Sequence, residues 1–197
     1  MNTRLITPTQ LSLFSRSPVV GAWWEELRAQ GLFRDKRPED TELDKQLFAD
    51  GLRHEEVLIS KLEKEGFLVA HLPGKQNESD YQATKKAMAY GYDFIWQASL
   101  HSDEMRGSAD LLRKVKGSSL FGDWSYQPIE CKLSSSAKTT FLVQACAYCE
   151  LLTPLLGQRP NNFELYLGGG KFKEFAVDKF WAWYQLLRKR YKDFCSS

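Results

Sequence analysis

The sequence predicts an α/β fold in which a mixed central β-sheet is flanked by helices, with a helical segment at the N-terminus. Two observations predict it. Stretches with the 3.6-residue period of amphipathic helices alternate with short apolar runs of strand length. Their order is helices, three strands, a helix, a strand pair and a last helix. Alternation of this kind is typical of a sheet covered by helices.

The length and composition are those of a folded globular protein. The chain has 197 residues, of which 43% are hydrophobic and 13% aromatic, and this is enough to bury a core. We interpret 1–197 as a single domain, with a helical N-terminal segment at 1–40 and the main core at 41–197. The net charge is only +2, so any contact with nucleic acid requires a local basic surface.

The sequence also predicts the cellular compartment of the protein. We see no apolar run that approaches membrane-spanning length, and the N-terminus lacks the apolar core of a signal peptide. The four cysteines do not form the pattern of a secreted disulfide framework. We therefore expect a cytoplasmic protein that makes no membrane contact.

The N-terminal segment is predicted to hold two helices. Residues 6–11 indicate a turn into a short helix with a threonine cap. A second helix is expected to end at Gly31, and the polar stretch 32–40 reads as a connector. Trp23 and Trp24 are expected to pack in the core, with base stacking as the alternative.

A long helix is predicted from Thr41 to Gly66. Its apolar residues recur at helical spacing and predict one buried face: Leu43, Leu47, Phe48, Leu52, Leu58, Ile59 and Leu62. His54 and Glu55 fall on the same face, where buried polar groups need partners. Taken alone, His54 is best interpreted as a core histidine satisfied by a hydrogen bond. Glu55 is a possible second acid or a group that orients a nearby lysine.

The middle of the chain is predicted to alternate between strands, loops and one helix. In order these are a strand at 67–70, a loop at 71–80, a helix from Ser79 or Asp80 to Tyr90, a strand at 93–100 and a turn at 101–106. A strand around Asp110 then forms a hairpin with the strand before it. The stretch 116–125 contains several glycines and serines and predicts a loop ahead of a strand around Glu130.

Two short apolar runs in this region each carry one acid, Asp110 and Glu130, and Lys132 follows the second. Because side chains alternate along a strand, Glu130 and Lys132 point to the same face. If the two strands pair, Asp110 can lie beside Glu130, and two converging carboxylates with an ammonium group form a site for a hard cation. The alternative is a structural one, in which the acids are strand-edge charges and Lys132 is their ion-pair partner.

The last third of the chain is predicted to hold a helix around Gln144 and Tyr148, which lie four residues apart and are neighbours on its surface. A strand at 162–168 follows, and three glycines at 168–170 predict a hairpin turn. The final helix, about 177–194, is predicted to bury five side chains and to expose four basic ones. The buried set is Phe180, Trp183, Leu187, Tyr191 and Phe194, and the exposed set is Arg188, Lys189, Arg190 and Lys192.

Three short motifs occur in a fixed order: Gly107-x-x-Asp110, Glu130-x-Lys132 and Gln144-x-x-x-Tyr148. Together they resemble the PD-(D/E)XK nuclease superfamily, in particular its RecB-like exonuclease branch, which includes the nuclease domains of RecB and CRISPR-associated exonucleases. Glu-x-Lys alone is weak, but the ordered set is much more specific. The resemblance covers nearly the whole chain and implies a restriction-endonuclease-like core.

The resemblance also implies roles for individual residues. His54, Asp110, Glu130 and the backbone carbonyl of Cys131 would bind Mg²⁺ or Mn²⁺. The histidine belongs to a Gly-x-x-x-His motif in that branch, and here Gly51 lies one residue closer to His54 than in the commonest pattern.

The same resemblance assigns the remaining site residues. Lys132 would orient the attacking water or stabilise the transition state, and Gln144 and Tyr148 would position the DNA strand or brace the site. Some members hold an iron–sulfur cluster. We interpret Cys146 and Cys149 instead as small buried residues, since this chain has no cysteine before 131.

The implied function is a metal-dependent DNA exonuclease in repair, recombination or defence, acting on single strands or duplex ends. The chain has no Walker motif, so it has no ATP-driven motor of its own. The expected partners are a separate helicase or another repair or defence protein. Two alternatives remain open. One is a catalytically silent domain that binds nucleic acid or a partner protein, and the other is a structure-selective endonuclease such as a junction resolvase. The Gln-x-x-x-Tyr helix favours the exonuclease.

Overall fold

A computed structural model describes residues 5–19, 21, 27, 30–31 and 41–196, apart from the side chain of residue 196. The expected second helix with Trp23 and Trp24, and the connector at 32–40, lie mostly or wholly outside these residues. The described elements are α1 Pro8–Arg16, α2 Glu42–Lys64, β1 Val69–His71, α3 Glu78–Tyr90, β2 Phe94–His101, β3 Arg106–Ser119, β4 Gly122–Lys132, α4 Thr139–Leu156, β5 Asn162–Leu167, β6 Lys171–Ala176 and α5 Asp178–Ser196.

The strands form one six-stranded mixed sheet whose spatial order follows the chain, β1 to β6. β2, β3 and β4 are a meander of antiparallel strands, and β5 and β6 are an antiparallel pair. The parallel pairs are β1 with β2 and β4 with β5. Parallel neighbours need a crossover connection, and α3 and α4 provide the two crossovers. The predicted α/β class with a mixed, helix-flanked sheet is confirmed.

Helices cover both faces of the sheet. On one face α1, α3, α4 and α5 pack over a large apolar cluster. On the other face α2 packs through Leu58, Ile59 and Leu62 on the sheet residues Leu111 and Ile129. Burying such a side chain contributes about 1.5–3 kcal/mol. These three contacts therefore hold the C-terminal half of α2 firmly on the sheet, one turn beyond His54 and Glu55.

The predicted helix at 41–66 is confirmed, with Thr41 forming the N-terminal capping box, but its buried face is shorter than predicted. Leu43, Leu47, Phe48 and Leu52 are all exposed, Phe48 to 78%. The periodicity was correct, but only the C-terminal half of α2 contacts the described part of the sheet. An amphipathic pattern alone does not reveal how much of a helix lies over a partner.

Two loop predictions in the middle of the chain were wrong. β3 runs to Ser119 and β4 begins at Gly122, so 116–125 is a long hairpin and not a loop. Cross-strand pairing overrides the weak strand propensity of its glycines and serines. In addition, α3 begins earlier than predicted, because Asn77 accepts from the Asp80 N–H and is the N-cap.

The final helix is confirmed, but part of its predicted orientation is wrong. Trp183 and Phe194 are exposed, and the buried aromatic residues include Tyr184 and Tyr191. Arg188 is not a solvated charge, because its side chain is 14% exposed and forms ion pairs with Glu104 and Glu150. Arg188 therefore helps to fix α5 on the domain.

One described helix, α4, is long and apolar enough to cross a membrane by length and composition. The prediction that no run approaches that length was therefore wrong. However, ten of its eighteen residues are buried inside the protein, among them Cys146 and Cys149. A core helix passes the same test, and α4 packs as the core helix of the larger cluster.

Candidate active site

The candidate site lies where β3 and β4 stop pairing. The last matched pair at this end is Leu111 with Ile129, and Asp110 and Glu130 are the next residues on the two strands. Beyond this point the Cys131 N–H donates to Asp110 Oδ2 at 2.8 Å. A carboxylate thus replaces the strand ladder as the partner of that N–H and holds the fork between the strands together.

A local kink in β2 and β3 determines how Asp110 is presented. Ile95 and Ala98 belong to the same apolar cluster although they are three residues apart, and the same is true of Ala109 and Leu112. In a regular strand, residues three apart face opposite sides. The change of face coincides with Gln97, whose φ of 55° is left-handed. A non-glycine residue in this region is uncommon and is typical of functional sites.

Lys132 lies between the two acids. Its Nζ atom is 2.7 Å from Glu130 Oε2 and 3.7 Å from Asp110 Oδ2. Burial alone would lower the pKa of the ammonium, but attraction to Glu130 and Asp110 outweighs burial and raises that pKa well above its usual value. Lys132 is therefore a fixed positive charge, and its ammonium group occupies the space between the carboxylates.

Glu130 carries an ionisable group in an environment that disfavours its charge. The side chain is 1% exposed. Burial raises its pKa to about 7, and the Asp110 charge adds to this effect while Lys132 opposes it. The carboxyl group thus changes protonation near neutral pH unless further positive charge is added to the site.

Glu55 reaches the site from α2. Its Oε2 accepts hydrogen bonds from Trp96 Nε1 at 2.9 Å and from Gln97 Nε2 at 2.7 Å. Burial and then the Asp110 charge raise its pKa to about 7, against the effect of these hydrogen bonds. Glu55 thus faces the kink in β2, and it influences Lys132 through charge and not through a direct contact.

His54, on the same helix, stacks on Tyr166 of β5 with ring centroids 4.5 Å apart. Tyr166 pairs with Cys131 across β4 and β5, so the histidine ring lies over the strand next to the fork. Its Nε2 atom is buried and has no hydrogen-bond partner. The interpretation of His54 as a core histidine satisfied by a hydrogen bond is therefore wrong for this atom. A buried polar atom left without a partner calls for an explanation, and an absent ion is one of them.

The donor types at His54, Asp110 and Glu130 are ones that divalent cations prefer. Glu130 Oε2 is buried and lies 2.7 Å from the Lys132 ammonium. An imidazole nitrogen and a carboxylate oxygen suit Mn²⁺ or Mg²⁺. Within the described ranges no three His, Cys, Asp or Glu side chains already stand in a ligand arrangement. Cation binding would therefore require Lys132 to move from between the acids.

Tyr148 and Gln144 differ in burial. Tyr148 is buried, and its hydroxyl donates to the Ser108 carbonyl at 2.6 Å, two residues before Asp110. A Cβ atom on Gly107 would lie only 3.0 Å from the Tyr148 ring, so the first glycine of the motif permits this packing. Gln144 is half-buried on the same helix.

The cysteines have separate environments. The Cys131 side chain packs against the cluster under α2, and burial raises the pKa of its thiol well above the usual value. Burial also raises the pKa values of Cys146, to about 12, and Cys149. All three thiols are therefore protonated at neutral pH and behave as packing groups.

Comparison with known proteins assigns no family to this chain. No protein-family model matches it, and no curated protein matches it significantly. The geometry also reveals residues that sequence reasoning missed, namely Trp96 and Gln97, which hold Glu55, and Ser108, which anchors Tyr148. The sequence offered no signal for them, because polar residues on an apolar strand are common and the left-handed Gln97 is not glycine.

Proposed function

We propose that this chain is a metal-dependent DNA nuclease of the RecB-like branch of the PD-(D/E)XK superfamily, with a restriction-endonuclease-like core. The observation that carries the proposal is the fork between β3 and β4. There the side chains of Asp110, Glu130 and Lys132 converge, and Glu130 Oε2 is buried with the Lys132 ammonium 2.7 Å away.

The arrangement suits hydrolysis of a phosphodiester. A bound Mg²⁺ or Mn²⁺ would supply a Lewis acid and lower the pKa of a bound water. Asp110 and Glu130 would supply carboxylate oxygens for it, and His54 would supply its unpartnered ring nitrogen. Lys132 would supply a positive charge that orients the attacking water or stabilises negative oxygen atoms in the transition state.

The architecture gives independent support. A helix, a meander of three antiparallel strands, a crossover helix and a parallel strand follow one another, and the acids lie on the second and third strands of the meander. A mixed sheet flanked by helices is the core that the superfamily resemblance implies. The Tyr148 hydroxyl braces β3 just before Asp110, which fits the bracing role expected of the Gln-x-x-x-Tyr helix in an exonuclease.

The test is a cleavage assay with the purified full chain. End-labelled single-stranded and duplex DNA, each linear and circular, is incubated with Mn²⁺, Mg²⁺ or EDTA. We expect cleavage of linear DNA that requires the metal and spares circles. Asp110→Asn and Lys132→Ala should each reduce the rate by about two to four orders of magnitude, because each removes charge stabilisation at the reacting phosphate.

A matched control is available on the same strand. Asp123 lies in β4 at the opposite end from the fork and is exposed, so Asp123→Asn makes the same chemical change without touching the site and should keep full activity. Cleavage of circles would identify an endonuclease. A folded wild-type chain that binds Mn²⁺ but cuts no substrate would refute the enzyme and leave a silent nucleic-acid- or partner-binding domain.

A further inference from the structure

A basic cleft lies near the fork, between the end of α1 and the start of α4. Its volume is about 620 Å³, within the range of about 300–1,000 Å³ that small-molecule sites occupy. The described residues that line it are Ser15, Arg16, Lys138, Thr139, Thr140 and Phe141. This lining offers two cations, three hydroxyl groups and one aromatic ring.

The charge in this cleft is unbalanced. No carboxylate occurs among its described lining residues. Arg16 and Lys138 are both exposed, and neither has an ion pair with any acid in the part of the chain that the structure describes. A concave surface with unpaired positive charge attracts an anion.

Phe141 lines the cleft and also lies beside the candidate site. The Phe141 ring centroid is 5.7 Å from Lys132 Nζ and 5.8 Å from Lys138 Nζ. One ring therefore contacts the lysine of the fork and the lysine of the cleft. An extended polyanion that placed one phosphate at Lys132 would pass this ring and meet Lys138 and Arg16 next.

We propose that this cleft holds the backbone phosphate of a neighbouring nucleotide of single-stranded nucleic acid, with Arg16 and Lys138 as its cationic contacts. The inference rests on the proposed function, because it places the scissile phosphate at the fork. The cleft would be a substrate-positioning site that determines how the nucleic-acid strand approaches the fork. Arg16 and Lys138 hold the strand, whereas the fork performs the chemistry.

The test measures binding without cleavage. A short fluorescein-labelled single-stranded oligonucleotide is titrated by anisotropy in EDTA with the wild-type chain and with the double variant Arg16→Gln/Lys138→Gln. Each phosphate contact contributes about 0.7 to the slope of log affinity against log salt, so losing two should reduce the slope by about 1.4 and weaken binding about 20-fold at 0.1 M salt.

The matched control is Lys64→Gln/Lys86→Gln, which removes the same charge from exposed positions on α2 and α3. It should change affinity less than about twofold. Equal affinity of the wild type and the Arg16/Lys138 variant, an equal loss in the control, or no oligonucleotide binding by the wild type would each overturn the inference.

Failure of the two proposals would look different. Because the assay contains EDTA, it does not depend on catalysis. Binding that requires Arg16 and Lys138 in a chain that never cuts DNA would keep the phosphate site and refute the nuclease. Cleavage that is unaffected by loss of both cations, together with unchanged binding, would keep the nuclease and refute the phosphate site.

Discussion

The buried carboxyl of Glu130 should make the metal-free protein less stable as the pH rises. In the unfolded chain this group has a pKa near 4.5, and burial raises it to about 7 in the native protein. Between these values the native state binds the proton and the unfolded state does not, so stability falls with increasing pH. The penalty is absent at low pH and complete above about pH 8.

The size of the effect follows from the difference between the two pKa values. At about 1.4 kcal/mol for each pH unit, the full penalty is about 3 kcal/mol, and about 2 kcal/mol of it develops between pH 5.5 and 8.5. Glu130→Gln keeps the shape of the side chain and removes the titration. The variant should therefore lose about 2 kcal/mol less than the wild type over this range.

The assay is urea unfolding in EDTA, followed by tryptophan fluorescence at a series of pH values. Using the change with pH cancels any constant effect of the substitution on Lys132. The exposed substitution Asp123→Asn is the control and should follow the wild-type profile. Parallel profiles for the wild type and Glu130→Gln would refute the reasoning, because they would mean that Glu130 is ionised in the native protein throughout this range.

Three further substitutions test the packing around the site. Tyr148→Phe removes the hydrogen bond to the Ser108 carbonyl and should cost about 1 kcal/mol in urea unfolding, whereas an unchanged unfolding midpoint would show that the bond contributes nothing. Gly107→Ala places a methyl group 2.9 Å from Pro8 and should lower the free energy of unfolding by about 1–3 kcal/mol. An unchanged free energy of unfolding would mean that α1 shifts to make room for the methyl group. His54→Phe removes a buried nitrogen that has no partner, so in EDTA the variant should melt at the same temperature as the wild type or higher. We expect Mn²⁺ to raise the melting temperature of the wild type but not that of this variant.

The sequence predicted the residues of the fork because their relation is local. Glu130 and Lys132 share a face through strand alternation alone, and a hairpin brings Asp110 to the facing strand. The sequence did not predict the left-handed conformation of Gln97. It also did not predict that the pairing between β3 and β4 ends at Leu111 and Ile129. Both depend on how the twisted strands diverge, which is a property of the assembled sheet.

Long-range packing explains the remaining errors. The periodicity of α2 predicted a buried stripe, but Phe48 is exposed because the sheet lies only under the later turns. Likewise, Arg188 has the sequence context of a surface charge, and its burial depends on Glu104, which is 84 residues away in the chain. Amphipathic patterns indicate which face of an element can be buried, whereas its partner is set by the tertiary structure.

The most direct test of the central claim is Mn²⁺ binding, measured by electron paramagnetic resonance of the free ion during titration of the full chain. We predict one bound Mn²⁺ per wild-type chain and strongly weakened binding in Asp110→Asn, with Asp123→Asn unchanged. Equal Mn²⁺ binding by the wild type and Asp110→Asn, or no binding by the wild type, would contradict a metal site at the fork between β3 and β4.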